Sequence, residues 1–318
     1  MKVLIAGGAG FIGSHFADAL LARGDVEGLT LYDNFSSGKE WHYAHHTKDA
    51  RLRIVRGNVE DTEALAAAMA GHSLVIHLAS NPDIAKAMTD PAIDFHQGTA
   101  LTHSVVEGCR RAGVKRLLYA SGSGIYGELG EHPAEEDFGP LIPVSTYGAS
   151  KLAGEALISS YCAMFGLTAC AFRFGNVVGP RQTHGVGFDF VRRLRADPTQ
   201  LRILGDGTQS KSYIHVEDVV RAVLLAFEKE KAAFRAFNVA TGDYITVREI
   251  ADLAVECAGL KPASVRYDFT GGDRGWKGDV PIVRLNIARI QSLGWKCQYP
   301  TREALKRSML SMLEELKA

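Results

Sequence analysis

The sequence lacks any long hydrophobic run, and it also lacks net charge. No uninterrupted apolar stretch reaches the ~18 residues of a membrane span, and the short apolar start runs into glycines without the cleavage site of a signal peptide. The 36 basic residues balance 36 acidic ones, so no overall field favours nucleic acid or an anionic membrane. Five scattered cysteines argue against a disulfide framework or a zinc site. Together these absences predict a cytoplasmic enzyme that binds neither nucleic acid nor a membrane.

What the chain does contain is an alternation of short apolar runs with segments of helical spacing. Strands are predicted at residues 2–6, 29–32, 53–55, 74–77, 117–120 and 168–172, and helices at 11–21 and 151–165. Such alternation is typical of an α/β fold with a Rossmann-type doubly wound parallel sheet. After residue 180 the pattern loosens. We therefore predict a first domain at 1–180 and a smaller C-terminal substrate-binding lobe at 181–318, partly interleaved with the first.

A glycine-rich turn, GGAGFIG, occupies residues 7–13 directly after the first predicted strand. Its pattern G-x-x-G-x-x-G lets the backbone turn tightly and approach a pyrophosphate, whose charge the amides of a helix N-terminus can bind. A glycine triplet alone is also found in plain strand–helix turns. The position of this one, between the first strand and the first helix, favours a dinucleotide-binding domain at 1–180.

The carboxylate of Asp33 ends the second predicted strand, twenty residues after the last glycine of the turn. There it can accept hydrogen bonds from both hydroxyls of an adenosine ribose, and it would repel a 2′-phosphate. Lys39 and Arg56 are the nearby cations, and neither is adjacent to Asp33. The predicted cofactor is therefore NAD rather than NADP.

Tyr147 and Lys151 stand four residues apart, which places them on one face of a helix. A phenol has an ordinary pKa near ~10 and is a poor base at neutral pH. A neighbouring ammonium would stabilise the phenolate and lower that pKa, so that the tyrosine could take a proton from an alcohol. Such a pair also occurs on solvated helix faces without any function. Downstream of the dinucleotide motif, we interpret it as catalytic.

At this point the chain resembles the extended short-chain dehydrogenases/reductases, and among them the nucleotide-sugar epimerases of the UDP-glucose 4-epimerase type. The resemblance covers essentially the whole length. It is carried by GGAGFIGSH at 7–15, YDNFSSG at 32–38, HLAS at 77–80, IYG at 125–127, YGASK at 147–151, GNVVGPR at 175–181, GDGTQSKSYIHVEDV at 205–219, NVATGDYITVREIA at 238–251 and GGDRGWKGDVP at 271–281.

The resemblance implies site residues for two ligands. Those expected at NAD are Gly7, Gly10, Phe11, Ile12, Gly13, Asp33, Asn34, Asn58, Val59, Leu78, Ala79, Ser121, Tyr147 and Lys151. Those expected at a nucleotide-sugar, with a UDP-sugar favoured, are Ser123, Tyr147, Asn176, Lys211 and Arg274. The resemblance also implies a homodimer joined by the helices near residues 99–112 and 146–165.

One departure concerns a hydroxyl that family members place four residues before the tyrosine of the IYG motif. Here that position is Gly122, so the second hydroxyl of the usual catalytic set is missing from its expected place. Ser123 or a water could replace it, and Ser123 is kept as a candidate catalytic residue. Related dehydratases and decarboxylases also carry acidic residues here, whereas this chain has Ser123 and Gly124. Elimination would therefore lack its acid and its base.

These features predict an NAD-dependent epimerase that inverts C4 of a nucleotide-sugar through a transient 4-keto intermediate. A substrate pair of the UDP-glucose/UDP-galactose type is favoured, with a UDP-uronic acid or a UDP-N-acetylhexosamine as alternatives. A nucleotide-sugar dehydratase or oxidoreductase stays open, as does a scaffold that binds NAD without catalysis.

The group His42, His45 and His46 resembles a metal cluster in composition. These histidines lie in a polar loop without supporting cysteines or carboxylates at ligand spacing. We therefore predict no metal site.

Overall fold

The structure is a computed structural model that describes residues 1–316. Its strands are β1 (Lys2–Ala6), β2 (Gly28–Asp33), β3 (Leu52–Arg56), β4 (Leu74–His77), β5 (Arg116–Gly122), β6 (Thr168–Phe174), β7 (Asn176–Val178), β8 (Gln200–Ile203), β9 (Ser210–Lys211), β10 (Tyr213–His215), β11 (Phe234–Val239), β12 (Ile245–Thr246) and β13 (Arg266–Phe269). Its α-helices are α1 (Phe11–Leu21), α2 (Thr62–Met69), α3 (Leu101–Ala112), α4 (Thr146–Phe165), α5 (Val186–Ala196), α6 (Val216–Lys229), α7 (Val247–Cys257), α8 (Ala288–Ser292) and α9 (Thr301–Glu315).

The largest sheet has seven strands in the order β11-β6-β5-β4-β1-β2-β3. The pairings of β1 with β2 and β4, of β2 with β3, and of β4 with β5 are all parallel. The strand order reverses at β1, as in the doubly wound folds that bind dinucleotides. The predicted fold class is confirmed, and the predictions at residues 2–6, 11–21 and 74–77 coincide with β1, α1 and β4.

The composition of β1 and α1 explains why the site begins where it does. Val3, Leu4 and Ile5 are fully buried, as expected for a central parallel strand covered on both faces. Phe16 and Leu20 lie one turn apart on α1 and are buried as well. The turn at residues 7–13 therefore follows the carboxyl end of β1, where ligands bind in such sheets.

The chain divides into two compact units. Unit 1 comprises Met1–Ile125, Ser145–Arg173 and Ala222–Phe237, and unit 2 comprises Tyr126–Val144, Phe174–Arg221 and Asn238–Ala318. The sequence predicted one boundary near residue 180 with partial interleaving. In the structure the chain crosses between the units five times, because an early segment joins unit 2 and a late one returns to unit 1.

Each unit has its own hydrophobic core. The core of unit 1 is built on the sheet and includes Leu4, Val75 and Leu117. In unit 2, helices α5, α7 and α9 pack together through residues such as Leu253 and Leu305. Among residues 1–316, no helix combines the length and the apolar composition that crossing a membrane requires.

Candidate active site

The glycine turn has the shape that a dinucleotide requires. Gly7 has φ +82°, and a Cβ there would lie 2.7 Å from the amide nitrogen of Ala79. A Cβ on Gly13 would lie 2.6 Å from the Gly7 carbonyl oxygen. Gly10 precedes α1 and has no side chain to cap it, so the first amides of α1 remain available to an anion. These residues fit the pyrophosphate of NAD.

Asp33 lies where the adenosine ribose is expected. It is buried, and its two carboxylate oxygens accept the amide protons of Ala9 and Phe35 at 2.9 and 2.8 Å. Burial raises the pKa of Asp33, and the two amide hydrogen bonds oppose that rise. From the sequence, no cation was expected next to Asp33. The structure corrects this expectation, because the register of β2 and β3 pairs Arg56 with Asp33. The Arg56 guanidinium carbon lies 4.2 Å from the centre of the Phe35 ring.

The other residues expected at NAD differ in how freely they can contact it. Asn34 accepts the Ser36 amide at 3.0 Å, which folds the segment after β2 into a local turn. Asn58 is exposed, whereas Val59 is buried in the core of unit 1.

Several expected NAD contacts border the turn at residues 7–13. The amides of Leu78 and Ala79 both bind the Ala6 carbonyl, at 2.9 and 3.0 Å. Phe11 is buried with its ring edge-on to His15, and Ile12 is partly exposed. The segment after β4 is therefore anchored beside the glycine turn.

Tyr147 and Lys151 lie in the first two turns of α4, which begins five residues earlier than the predicted helix. Ser145 caps this helix by accepting the Gly148 amide at 3.0 Å. The Lys151 ammonium donates to the Ala120 carbonyl at 2.9 Å and lies 5.4 Å from the centre of the Tyr147 ring. Lys151 is only 3% exposed, whereas Tyr147 keeps part of its surface accessible. The predicted pair therefore forms.

Burial controls the protonation of this pair. It raises the pKa of Tyr147 to about 12, and the contact with the Ser80 hydroxyl opposes the rise. It lowers the pKa of Lys151 to about 8. The expectation that the ammonium would lower the tyrosine pKa is therefore corrected. The cost of taking a phenolate out of water exceeds what the Ser80 contact returns, and the charge of Asp94 adds to the rise.

Two side chains beside the catalytic pair were missed by the sequence reasoning. Asp94 is buried, accepts hydrogen bonds from Asn81 and Thr146 at 2.9 and 2.7 Å, and raises the pKa of Lys151. The oxygen of Ser80 is buried against Tyr147 and makes no hydrogen bond of standard geometry within residues 1–316. The HLAS motif contains Ser80, but only the fold shows what its hydroxyl faces.

The segment around Gly122 does not supply an obvious hydroxyl. A Cβ added at Gly122 would meet no heavy atom within 4 Å, so space is present where relatives carry a side chain. Ser123 begins a 3₁₀ turn, Ser123–Tyr126, and is partly buried. The hydroxyl of Ser121, expected at NAD, donates instead to Glu155 at 2.6 Å, and Arg173 pairs with the same carboxylate.

In unit 2, the residues expected at the nucleotide are engaged with other groups. Lys211 forms an ion pair with Asp279. Arg274 donates to Glu128 at 2.8 Å and to both oxygens of Asp273 at 3.0 Å. These contacts raise the pKa of Arg274, so it stays charged.

Asn176 is exposed at the start of β7. Its side-chain amide donates to the Ser212 carbonyl at 3.2 Å. Asn176 therefore differs from the two cations, which are held by carboxylates.

The chain matches proteins of known activity along most of its length. Residues 3–240 match the model of the NAD dependent epimerase/dehydratase family. The UDP-glucose 4-epimerase of Mycolicibacterium smegmatis is 31% identical over an alignment of 317 residues that covers 97% of each chain. The structure of UDP-glucose 4-epimerase from Thermotoga maritima with UDP-glucose has a TM-score of 0.88 at 30% identity, covering 99% of this chain and 100% of that one.

A second reaction type occurs among the similar structures. The dTDP-glucose 4,6-dehydratase DesIV from Streptomyces venezuelae, a double mutant with NAD bound, has a TM-score of 0.91 at 27% identity, covering 100% of this chain and 98% of that one. Similarity of fold therefore does not separate epimerisation from dehydration, and the residues of the site must do so.

Proposed function

This chain belongs to the NAD-dependent epimerase/dehydratase family, and we propose that it inverts C4 of a UDP-hexose such as UDP-glucose or UDP-galactose. The observation that carries the proposal is the site in unit 1. It places Tyr147 and Lys151 beside the end of β5, and residues 122–124 there contain no carboxylate. UDP-uronic acids and UDP-N-acetylhexosamines are the alternative substrates.

Tyr147 is the base of the proposed reaction. Its phenolate takes the proton from the sugar 4-hydroxyl while C4 loses its hydrogen as hydride, which leaves a 4-keto sugar. NAD, when bound, would supply the nicotinamide that accepts this hydride and from which it returns to C4. The protonated Tyr147 then returns its proton to O4 after the keto sugar has turned its opposite face, so protons and electrons balance over the cycle.

Lys151 holds the positive charge that this chemistry needs. Its pKa near 8 leaves most of the ammonium protonated at neutral pH. The hydrogen bond to the Ala120 carbonyl fixes its nitrogen at the end of β5. Because burial works against a phenolate at Tyr147, a fixed cation on the same helix favours the ionised form relative to a site without one.

A second hydroxyl could assist Tyr147 at the sugar oxygen. The space beside Gly122 is not filled by its own side chain. Ser123 is the candidate closest in sequence, and Ser80 is the candidate that contacts Tyr147. Because the buried Ser80 oxygen lacks a well-formed partner within the described chain, a bound alcohol would satisfy it. We favour Ser80 over Ser123 for this role.

Unit 2 would hold the nucleotide diphosphate through Lys211 and Arg274, with Asn176 as a neutral donor. The keto sugar has to turn between the two hydride transfers, so binding must be strong at the diphosphate and weak at the sugar. Both cations are already paired with carboxylates. A diphosphate would therefore have to replace these carboxylates as the partner of Lys211 and Arg274.

Epimerisation is favoured over dehydration by what residues 122–124 lack. A 4,6-dehydratase has to remove a proton from C5 and protonate the leaving oxygen at C6, which takes additional acid and base groups. Ser123 and Gly124 provide neither. The buried Asp94 does not replace them, because its two oxygens accept from Asn81 and Thr146.

The test is incubation of the purified protein with UDP-glucose, without added cofactor, followed by NMR of the sugar products. We expect UDP-galactose to form with no net change in absorbance at the nicotinamide wavelength. A parallel panel of UDP-glucuronic acid and UDP-N-acetylglucosamine identifies the alternatives. Tyr147→Phe serves as the inactive control. A 4-keto-6-deoxy product, or steady accumulation of NADH, would assign a different reaction.

Assembly and location are proposed on the family resemblance. A homodimer would use α3 and α4, and Met164 and Phe165 at the end of α4 are exposed apolar side chains that such an interface could cover. Light scattering at micromolar concentration should give twice the monomer mass, and a monomer would contradict the proposal. A cytoplasmic location stays an expectation from the sequence.

A further inference from the structure

Helix α1 and the loop after β2 bring one carboxylate and two imidazoles together on the surface of unit 1. The Nε2 atoms of His45 and His46 lie 2.8 and 2.7 Å from the same oxygen of Asp18. The sequence reasoning found no carboxylate at ligand spacing, but that premise is corrected by the fold, which supplies Asp18 from 27 residues earlier in the chain. We propose that Asp18, His45 and His46 bind a divalent transition metal, with zinc as the fitting ion.

The geometry suits a small tetrahedral ion. One ligand atom from each residue lies within 4.8 Å of the other two. Zinc bonds to imidazole nitrogen and carboxylate oxygen are about 2.0–2.2 Å long, which puts tetrahedral ligand atoms roughly 3.3 Å apart. The present contacts therefore need to widen by about half an ångström. All three side chains are partly exposed, so they can move that far, and water can complete the coordination.

The chemical types of the ligands select the class of metal. Two imidazoles and one carboxylate suit zinc and its neighbours in the first transition series, whereas magnesium and calcium prefer ligand sets made of oxygen. A third imidazole, that of His15, has its Nδ1 atom 3.9 Å from the other oxygen of Asp18. His42 lies outside this group: its side chain is fully buried, and its Nδ1 is paired with the Ala9 carbonyl at 2.8 Å.

The position of the proposed site gives it a structural role. Asp18 lies on α1, which begins at the glycine turn, and His45 and His46 lie within the loop that connects β2 to β3. This loop also contacts the turn directly, because the Lys39 amide donates to the Ala9 carbonyl at 3.1 Å. A metal ion would therefore cross-link α1 to the loop next to the adenosine site, and it would stabilise residues 34–46 in the position that the structure shows.

The experiment is a zinc titration of the full-length protein with NAD bound, after removal of any affinity tag and treatment with a chelator. Calorimetry should give one zinc per chain with micromolar or tighter affinity, and magnesium should not bind. Cobalt(II) in place of zinc should give the visible absorption of a tetrahedral site with nitrogen and oxygen ligands. Zinc should also raise the thermal midpoint and slow proteolysis within residues 34–46.

Variants on both elements test the assignment. Asp18→Asn and His46→Gln should each weaken zinc binding by about tenfold or more, while retaining bound NAD as evidence of folding. His132→Gln, which changes an exposed histidine elsewhere, should bind zinc like the unmodified protein. The proposal is overturned if zinc fails to bind at one equivalent, or if Asp18→Asn and His46→Gln bind it as tightly as the unmodified protein. Because binding is the readout, the outcome does not depend on the sugar substrate.

Discussion

The two units hold their candidate residues in different ways. In unit 1, Lys151 is buried and bound to a backbone carbonyl. Glu155, one turn further along α4, forms a buried ion pair with Arg173. In unit 2, Lys211 and Arg274 are both bound by carboxylates. The Lys151 ammonium of unit 1 is therefore held in one position. The cations of unit 2, in contrast, must change partners when an anion binds.

This difference separates chemistry from recognition. A site that moves a proton gains from fixed geometry, because small displacements of the base reduce the rate strongly. A site that binds a diphosphate can tolerate exchange of ionic partners. Until the diphosphate binds, the carboxylates hold the cations of the site in place. Changes in unit 1 should therefore affect turnover, and changes in unit 2 should affect the concentration of substrate needed.

The largest expected effect is the loss of the base. Tyr147→Phe should lower kcat by about 10²–10⁴, the usual contribution of a positioned acid or base. Tyr161→Phe, on the same helix but with its hydroxyl on Glu107, is the matched control and should stay within about twofold of the unmodified protein. Turnover of UDP-glucose, followed by NMR, measures both. Equal activity of Tyr147→Phe and the control would remove Tyr147 from the mechanism.

The next largest effect tests whether Lys211 of unit 2 binds the nucleotide diphosphate. Lys211→Gln should raise KM about ten- to hundredfold, because a hydrogen bond to a charged group contributes about 1.5–3 kcal/mol. The change in kcat should be smaller. The expected contrast with Tyr147→Phe is a change in KM in one case and in kcat in the other.

A double variant separates binding from structure in the same experiment. Lys211→Gln leaves the carboxylate of Asp279 without its partner, and Asp279 also accepts the Gly275 amide at 3.2 Å. Lys211→Gln/Asp279→Asn removes that stranded charge. If the double variant recovers the original KM, Lys211 only holds the loop in place, and the proposed contact with the diphosphate is wrong.

The second hydroxyl should have a smaller effect, which distinguishes two neighbours of Tyr147. Ser80→Ala should lower kcat by about tenfold, as expected for one hydrogen bond to the sugar oxygen. Ser123→Ala should lower it by less, because Ser123 is one residue past the position where relatives carry the hydroxyl and lies in the 3₁₀ turn that follows β5. If Ser123→Ala proves as damaging as Tyr147→Phe, Ser123 is the missing hydroxyl. Gly122→Ser offers a gain-of-function check, since a Cβ fits there.

Local features of this chain were predictable from its sequence. The fold class, the family resemblance and NAD as the cofactor are confirmed. Residues of β1 and α1 follow periodic apolar patterns, so their bounds could be predicted. Apolar spacing predicted that helix α4 begins at Lys151, whereas it begins at Thr146, as the family resemblance implied. The local signal for this start is the Ser145 cap rather than apolar spacing.

Contacts between distant segments were not predictable. The pKa of Tyr147 was expected to fall, but burial by the surrounding elements raises it. Arg56 is far from Asp33 in the sequence and adjacent to it in the sheet. Asp94 and Asp18 likewise reach their partners only after the sheet and helices have formed. The spacing of residues along one segment does not indicate which distant residue will contact that segment.

The smallest expected effect tests whether the carboxylates of unit 2 compete with the ligand. Glu128 pairs with Arg274, and both side chains are substantially exposed, so solvent screens the pair and it stabilises the protein little. Glu128→Gln should therefore tighten binding of UDP by up to about fivefold, because a phosphate then has only the Asp273 carboxylate to displace from Arg274. Calorimetry at two salt concentrations measures this effect, which should shrink as salt screens the pair. Glu131→Gln is the matched control, since Glu131 pairs with Arg284 instead, and it should leave UDP binding unchanged. Weaker binding by Glu128→Gln would show that Glu128 orients Arg274 for the ligand, and the carboxylates of unit 2 would then be supports rather than competitors.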